Sequence, residues 1–259
     1  YRFGAMSTLA DSVITLRFTP LTPTIAYKPW TINSDNFLRY NFITRELNAD
    51  LQLNGQGSSL HLLTSPLATA DTIPGTSRPG NELLVQAHDI KIADWIKLSP
   101  FAPPMDGTLS ADMRLHREKG NLIGRADLQL ADFSYDKKRV GDIDLNLDVA
   151  NDIRAKALHA DGFMKVNGNK VLTLSGAVND TTMHDPFLLD LSMIRFPLEV
   201  ANPFLPADVA ALSGTLNGTM KVTGRDKAPL FDGYLQFDSA SVDVTMLGAT
   251  YAFSDEKIP

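Results

Sequence analysis

Asp142-Ile143-Asp144-Leu145-Asn146-Leu147-Asp148-Val149 alternates polar and apolar residues without a break. Successive side chains on a β-strand point to opposite faces. The stretch therefore places Ile143, Leu145, Leu147 and Val149 on one face, and Asp142, Asp144, Asn146 and Asp148 on the other. A strand with one dry and one wet face belongs in an antiparallel sheet, because parallel sheets are covered on both sides. This reading predicts an all-β protein.

The same alternation extends outward in both directions. Leu109, Ala111, Met113 and Leu115 interleave with Thr108, Ser110, Asp112 and Arg114, and Leu216, Gly218, Met220 and Val222 with Thr215, Asn217, Thr219 and Lys221. Helical periodicity is scarce. Residues 93–98 predict one or two turns ahead of Pro100, and residues 207–212 another after Pro206, a proline well placed near a helix start. Asn54-Gly55-Gln56-Gly57 and Asn167-Gly168-Asn169 read as turns. Residues 65–81, rich in Thr, Pro, Ser and Gly, read as a long loop and an internal boundary.

The chain also repeats itself. Pro100-Phe101-Ala102-Pro103 is echoed by Pro203-Phe204-Leu205-Pro206. Gly107-Thr108-Leu109 is echoed by Gly214-Thr215-Leu216, and Leu128-Gln129-Leu130 by Leu235-Gln236-Phe237, both at an offset of about 107 positions. An irregularity recurs with them. After Leu128 and Leu130 the apolar phase jumps to Phe133 and Tyr135; after Leu235 and Phe237 it jumps to Ala240 and Val242; after Val85 and Ala87 it jumps to Ile90 and Ile92. A period-two strand changes phase only through a bulge or bend, so the jumps predict bent strands used as a module.

Composition excludes several functional classes. Hydrophobic residues make up 44%, enough for a real core, and the net charge is −6. An acidic chain without a Lys/Arg run lacks the basic face a nucleic-acid partner needs. Cysteine is absent, which removes disulfides, thiolate nucleophiles and Cys-based zinc sites. No apolar run reaches the roughly 18–20 residues of a membrane-spanning helix. The start at Tyr1 and the end at Pro259 suggest an internal piece of a longer exported protein.

Constellations that could carry chemistry are weak. Asp142, Asp144, Asn146 and Asp148 have calcium-loop spacing, but Leu147 and Ile153 stand where an EF-hand needs glycine and a carboxylate. His61, His88, His116, His159 and His184 are too scattered for a metal site. No nucleophile elbow or phosphate-binding glycine loop appears. Scattered carboxylates keep a glycosidase-like acid pair formally open, and Trp30, Trp95, Tyr27 and Tyr40 could line a sugar surface or a core. The expectation is a non-enzymatic chain with no catalytic residue, no metal and no cofactor.

A short Pro-Phe-x-Pro segment, Gly-Thr-Leu opening an alternating strand, a charged loop and a second strand follow one another in each copy. In the second copy the loop reads Gly224-Arg225-Asp226-Lys227-Ala228-Pro229-Leu230-Phe231-Asp232-Gly233. This arrangement resembles the TamB proteins of the AsmA-like group, and Tyr251-Ala252-Phe253-Ser254-Asp255-Glu256-Lys257-Ile258-Pro259 is similar to the edge of their C-terminal domain. The likeness is clearest from Val85 to Pro259; the first copy departs from it at Lys119-Gly120-Asn121-Leu122-Ile123-Gly124, which lacks the proline.

The resemblance implies an elongated, repetitive, mainly antiparallel sheet folded over into a half-pipe, with an apolar groove and a few short helical turns. It implies a β segment over 1–64 in the same sheet, a loop or linker over 65–81, one repeat copy over 82–202 and a truncated second copy over 203–259. It implies a periplasmic location, with an inner-membrane anchor outside these residues. The implied partners are phospholipid acyl chains and a TamA-like outer-membrane barrel, and the implied work is lipid transport between the membranes in support of outer-membrane assembly. Groove-lining candidates are Leu109, Met113, Leu115, Leu128, Leu130, Ile143, Leu145, Leu147, Val149, Leu216, Met220, Val222, Leu235 and Phe237. Alternation alone also fits a closed core between two packed sheets. The other reading in view is a structural or adhesive β-array that binds protein or glycan.

Overall fold

The structure is a computed structural model that describes residues 2–66, 81–98, 104–118, 121–135, 137–152, 157–179, 187–205, 211–225, 228–254 and 256–258. Most of the predicted loop 65–81, the Pro100-Phe101-Ala102-Pro103 segment and the loop positions 119–120 and 226–227 lie outside the described residues.

Strands dominate, as the alternation requires. The first part holds β1 (Arg2–Ala10), β2 (Val13–Ile25), β3 (Lys28–Pro29), β4 (Thr31–Ile32), β5 (Phe37–Asn41), β6 (Leu47–Asn54) and β7 (Ser59–Pro66). Then come β8 (Asn81–Lys91), β9 (Met105–Glu118), β10 (Asn121–Tyr135), β11 (Lys138–Asp152), β12 (Ala157–Val166) and β13 (Asn169–Asn179). The last are β14 (Phe187–Pro197), β15 (Ala211–Arg225), β16 (Ala228–Val244), β17 (Ala249–Phe253) and β18 (Lys257–Ile258). From β5 to β16 each strand pairs antiparallel with the next, and β17 and β18 both pair with β16. The N-terminal residues belong to the same sheet through β2, which pairs with β1, β3 and β5. Among the described residues no ladder joins β1 to β17 or β18, so the sheet is an open half-pipe and not a barrel.

Each predicted phase jump is a bulge. The registers of β8, β10 and β16 slip at Ala87/Ile90, Leu130/Phe133 and opposite Ser213/Thr215. At each slip one residue turns left-handed: Asp89 (φ 52°), Asp132 (φ 50°) and Ser239 (φ 49°). A fourth bulge lies in β14 between Met193 and Phe196, with Arg195 at φ 48°. It answers Asp89 at nearly the repeat offset, so β14 corresponds to β8. Neighbouring side chains bind the displaced amides: the Asp132 N–H donates to Asp142 Oδ1 (2.8 Å), and the Arg195 N–H to Asn217 Oδ1 (2.7 Å).

The glycines of the two Gly-Thr-Leu segments face bulges. Gly107 sits at φ 126° and Gly214 at φ 96°. A Cβ on Gly107 would lie 2.9 Å from the Ala131 carbonyl oxygen, and one on Gly214 2.5 Å from Ala240 Cα. Only glycine satisfies both the dihedral and the space.

The two bulged strands β8 and β14 lead into helical turns. The first is α1 (Ile92–Trp95), continued by a 3-10 turn Ile96–Leu98, as predicted over 93–98; the second is the 3-10 segment Leu198–Phe204. The helix expected over 207–212 is not there where the chain is described. Ala211 and Leu212 open β15 and pair with Asp243 and Val242, because ladder hydrogen bonds to β16 outweigh a weak local helical preference. Both turns cover the bulged end of the apolar face: Ile92 and Val200 pack on Phe133, Val140 and Ile143. A second cluster joins Trp30, Ile32, Leu53, Ala87 and Ile90, flanked by Trp95.

Candidate functional site: an open apolar trough

Directly paired residues in an antiparallel sheet share a face, so the registers trace rows across the sheet. One row runs Ile32, Leu53, Leu60, Ala87, Ala111, Leu128, Leu145, Met164, Leu172, Met193, Gly218, Leu235 and Ile258. Every member is apolar or glycine. The next row on the same face runs Leu51, Leu62, Val85, Met113, Ala126, Leu147, Gly162, Leu174, Leu191, Met220 and Gly233. A third runs Leu83, Leu115, Gly124, Val149, Ala160, Gly176, Leu189, Val222 and Phe231.

Leu109, Leu130 and Ile143 form a partial row beside these, and Leu216 pairs with Phe237 in another. Every lining candidate from the sequence thus lies on one face. At the usual strand spacing of ~4.8 Å, the first row extends roughly 55 Å.

The floor is dry at its bulged end and open around Leu145 and Met113. Ile143 is 8% exposed beneath the helical turns, whereas Leu145, two residues along the strand, is 40% exposed and Met113 44%. Apolar side chains left uncovered across β9 to β11 form a patch that ordinary monomers avoid. Glycines keep the floor low. A Cβ on Gly162 would meet the Asn146 carbonyl oxygen at 2.5 Å, and one on Gly218 the Tyr234 carbonyl oxygen at 2.3 Å. Strand backbones crowd together on this side, as they do on the inner side of a curled sheet.

The opposite face is wet. Its matching row reads Gln52, His61, Gln86, Asp112, Asp127, Asn146, Phe163, Thr173, Ser192, Thr219 and Tyr234. The two aromatic rings are shielded by cations, Lys170 over Phe163 at 4.4 Å and Lys257 over Tyr234 at 3.9 Å. Arg125 lies 3.3 Å from Asp127 and 3.9 Å from Asp148, exposed contacts that contribute little to stability. The Asp112 carboxyl is held below the usual carboxylate range, first by a hydrogen bond from Gln86 (3.0 Å) and then by Arg114, with partial burial opposing. A carboxyl shifted downward is a poor general acid at neutral pH. Among the described residues no three His, Asp or Glu side chains come together as a metal set.

Comparison with protein-family models, curated proteins and solved structures gave no match.

Sequence reasoning missed part of the floor. Met164, Leu172, Leu174, Leu189, Leu191 and Met193 lie in β12, β13 and β14, whose alternation is masked by apolar residues on the polar face, such as Phe163, Leu188 and the exposed Ile194. Tryptophans 30 and 95 line no sugar platform: their rings meet edge-on at 5.7 Å, and Trp30 is buried. The calcium-like spacing at 142–148 lies in strand β11, along which side chains cannot encircle an ion.

Proposed function

We propose that this chain is a segment of a lipid-transport bridge that shields phospholipid acyl chains as they pass between two membranes. The observation that carries the reading is the continuous apolar row from Ala111 to Ile258, open to solvent around Leu145. Each methylene removed from water is worth about 0.8 kcal/mol, so a continuous apolar track lowers the cost of crossing an aqueous gap. The trough outreaches a single leaflet, which is roughly 15 Å of hydrocarbon, so a tail on it has room to move. Along the open floor the side chains are aliphatic and of similar character, so a tail can shift from one position to the next.

On the resemblance of the repeat to TamB proteins, we set this work in the periplasm, with an outer-membrane barrel as the recipient. In this role the residues act by excluding water, and the chemistry requires no nucleophile, metal or cofactor. Among the described residues no helix is long and apolar enough to cross a membrane.

A binding assay with a radiolabelled phospholipid tests the reading. Met164→Glu places a charge in the row and is expected to cut lipid capture severalfold, while Asn146→Glu on the wet face leaves it unchanged. Equal capture by both variants would contradict a track on the apolar face.

A further inference from the structure

We infer that the trough ends blind beside Trp95, in a seat for the methyl-terminal part of a single fatty acyl chain. This rests on the lipid-shielding reading and adds where a tail stops and which way it points. A cavity of about 390 Å³ opens on the apolar face, walled by Leu60, Ala87, Ile90, Ile92, Trp95 and Leu109. Leu60 and Ala87 belong to the first row, so the cavity continues the open floor at Ala111, Leu128 and Leu145.

The lining selects the occupant. None of these side chains carries a charge, so a headgroup buried here would lose its hydration without compensation, while a hydrocarbon loses nothing. The volume suits roughly a dozen methylenes, if each takes about the 30 Å³ of a liquid water molecule. That is most of one tail and too little for a two-chain lipid.

Beyond the cavity the row is roofed. Ile32 and Leu53 are 6% and 4% exposed, and Trp30 meets Trp95 edge-on. The strand β3 beside Trp30 is fastened to α1 by the Lys28–Asp94 ion pair, which Lys97 joins at 3.3 Å. A tail entering from β9–β11 therefore stops at Trp95 with its methyl end inward and its headgroup over the open floor.

Trp30 and Trp95 are the two tryptophans of the chain, so Trp30→Phe leaves Trp95 as the single indole reporter. The probes are two monoacyl phospholipids, brominated either near the methyl end or near the carbonyl of the chain. The methyl-end probe is expected to quench Trp95 several times more strongly, and Ala87→Phe, which fills the cavity, to abolish that quenching with the circular dichroism spectrum unchanged. Equal or stronger quenching by the carbonyl-end probe would overturn the orientation. Absence of quenching, while a photoreactive version of the same lipid still labels Leu145, would overturn the seat and leave the transport reading standing. Absence of both would remove the two together.

Discussion

At Gly214 the backbone holds φ at 96°, and a side chain would press on Ala240 Cα and the Ser239 carbonyl at 2.5 Å. Gly214→Val is expected to destabilise the protein by about 2–4 kcal/mol, read as a lower urea midpoint, because strain and collision add. Gly57→Ala, with nothing within 4 Å but a φ of 73°, is expected to cost about 1 kcal/mol, through the dihedral alone. The sequence shows Gly-Thr-Leu recurring at a fixed offset, but that Gly107 and Gly214 must be glycine follows only from the pairing that sets them against bulges in β10 and β16. Three bulges were legible in the sequence, since Ala87 to Ile90, Leu130 to Phe133 and Phe237 to Ala240 each break an otherwise strict alternation. The bulge at Arg195 was not, because Ile194 is apolar yet points to solvent, 58% exposed, and hides the change of phase.

Strand β11 separates an open trough from a closed core by stability alone. Ile143→Asn is expected to cost about 3 kcal/mol or more, since it puts an amide under the helical turns. Leu145→Asn is expected to cost less than about 1 kcal/mol, since Leu145 already meets water. Equal, large losses in chemical denaturation would mean that the face is covered. A second element-scale prediction concerns α1 and β3. The hydrogen bond from Lys28, ahead of the contributions of Lys97, holds the Asp94 carboxyl below its ordinary value of 3.8, against a smaller opposing effect of burial. A carboxyl depressed in the folded state stabilises fully above its unfolded value and loses that contribution as pH falls through the folded one. The window therefore lies below pH 3.8. Acid titration of tryptophan emission should show a transition there that Lys28→Met weakens, and identical titrations would contradict the latch. The pairing of Lys28 with Asp94 joins residues far apart in sequence, and no local pattern announces it. Of the helix expected over 207–212 only Ala211 and Leu212 are among the described residues, and there it gives way to strand for the converse reason: Leu212 gains more from pairing with Val242 than from a local turn.

Across the whole molecule, alternation repeated from strand to strand gives a single sheet with one apolar side, and the bulges with their helical turns close that side at one end. Alternation says which residues share a face but not what covers the face, so the choice between trough and closed core needed the registers and exposures. The resulting floor is long compared with a lipid and carries no fixed charge. Bound lipid is expected to raise the unfolding midpoint with concentration, because a ligand that binds only the folded sheet stabilises it by mass action. A midpoint independent of lipid would argue against occupancy. The most direct test places a photo-crosslinking residue at Leu145 and, separately, at its neighbour Asn146, in the protein as it exists in cells, and analyses the adducts for phospholipid. Lipid adducts at Leu145 with none at Asn146 are the predicted result; no adduct at either position, or equal labelling at both, would contradict a lipid track on the apolar face.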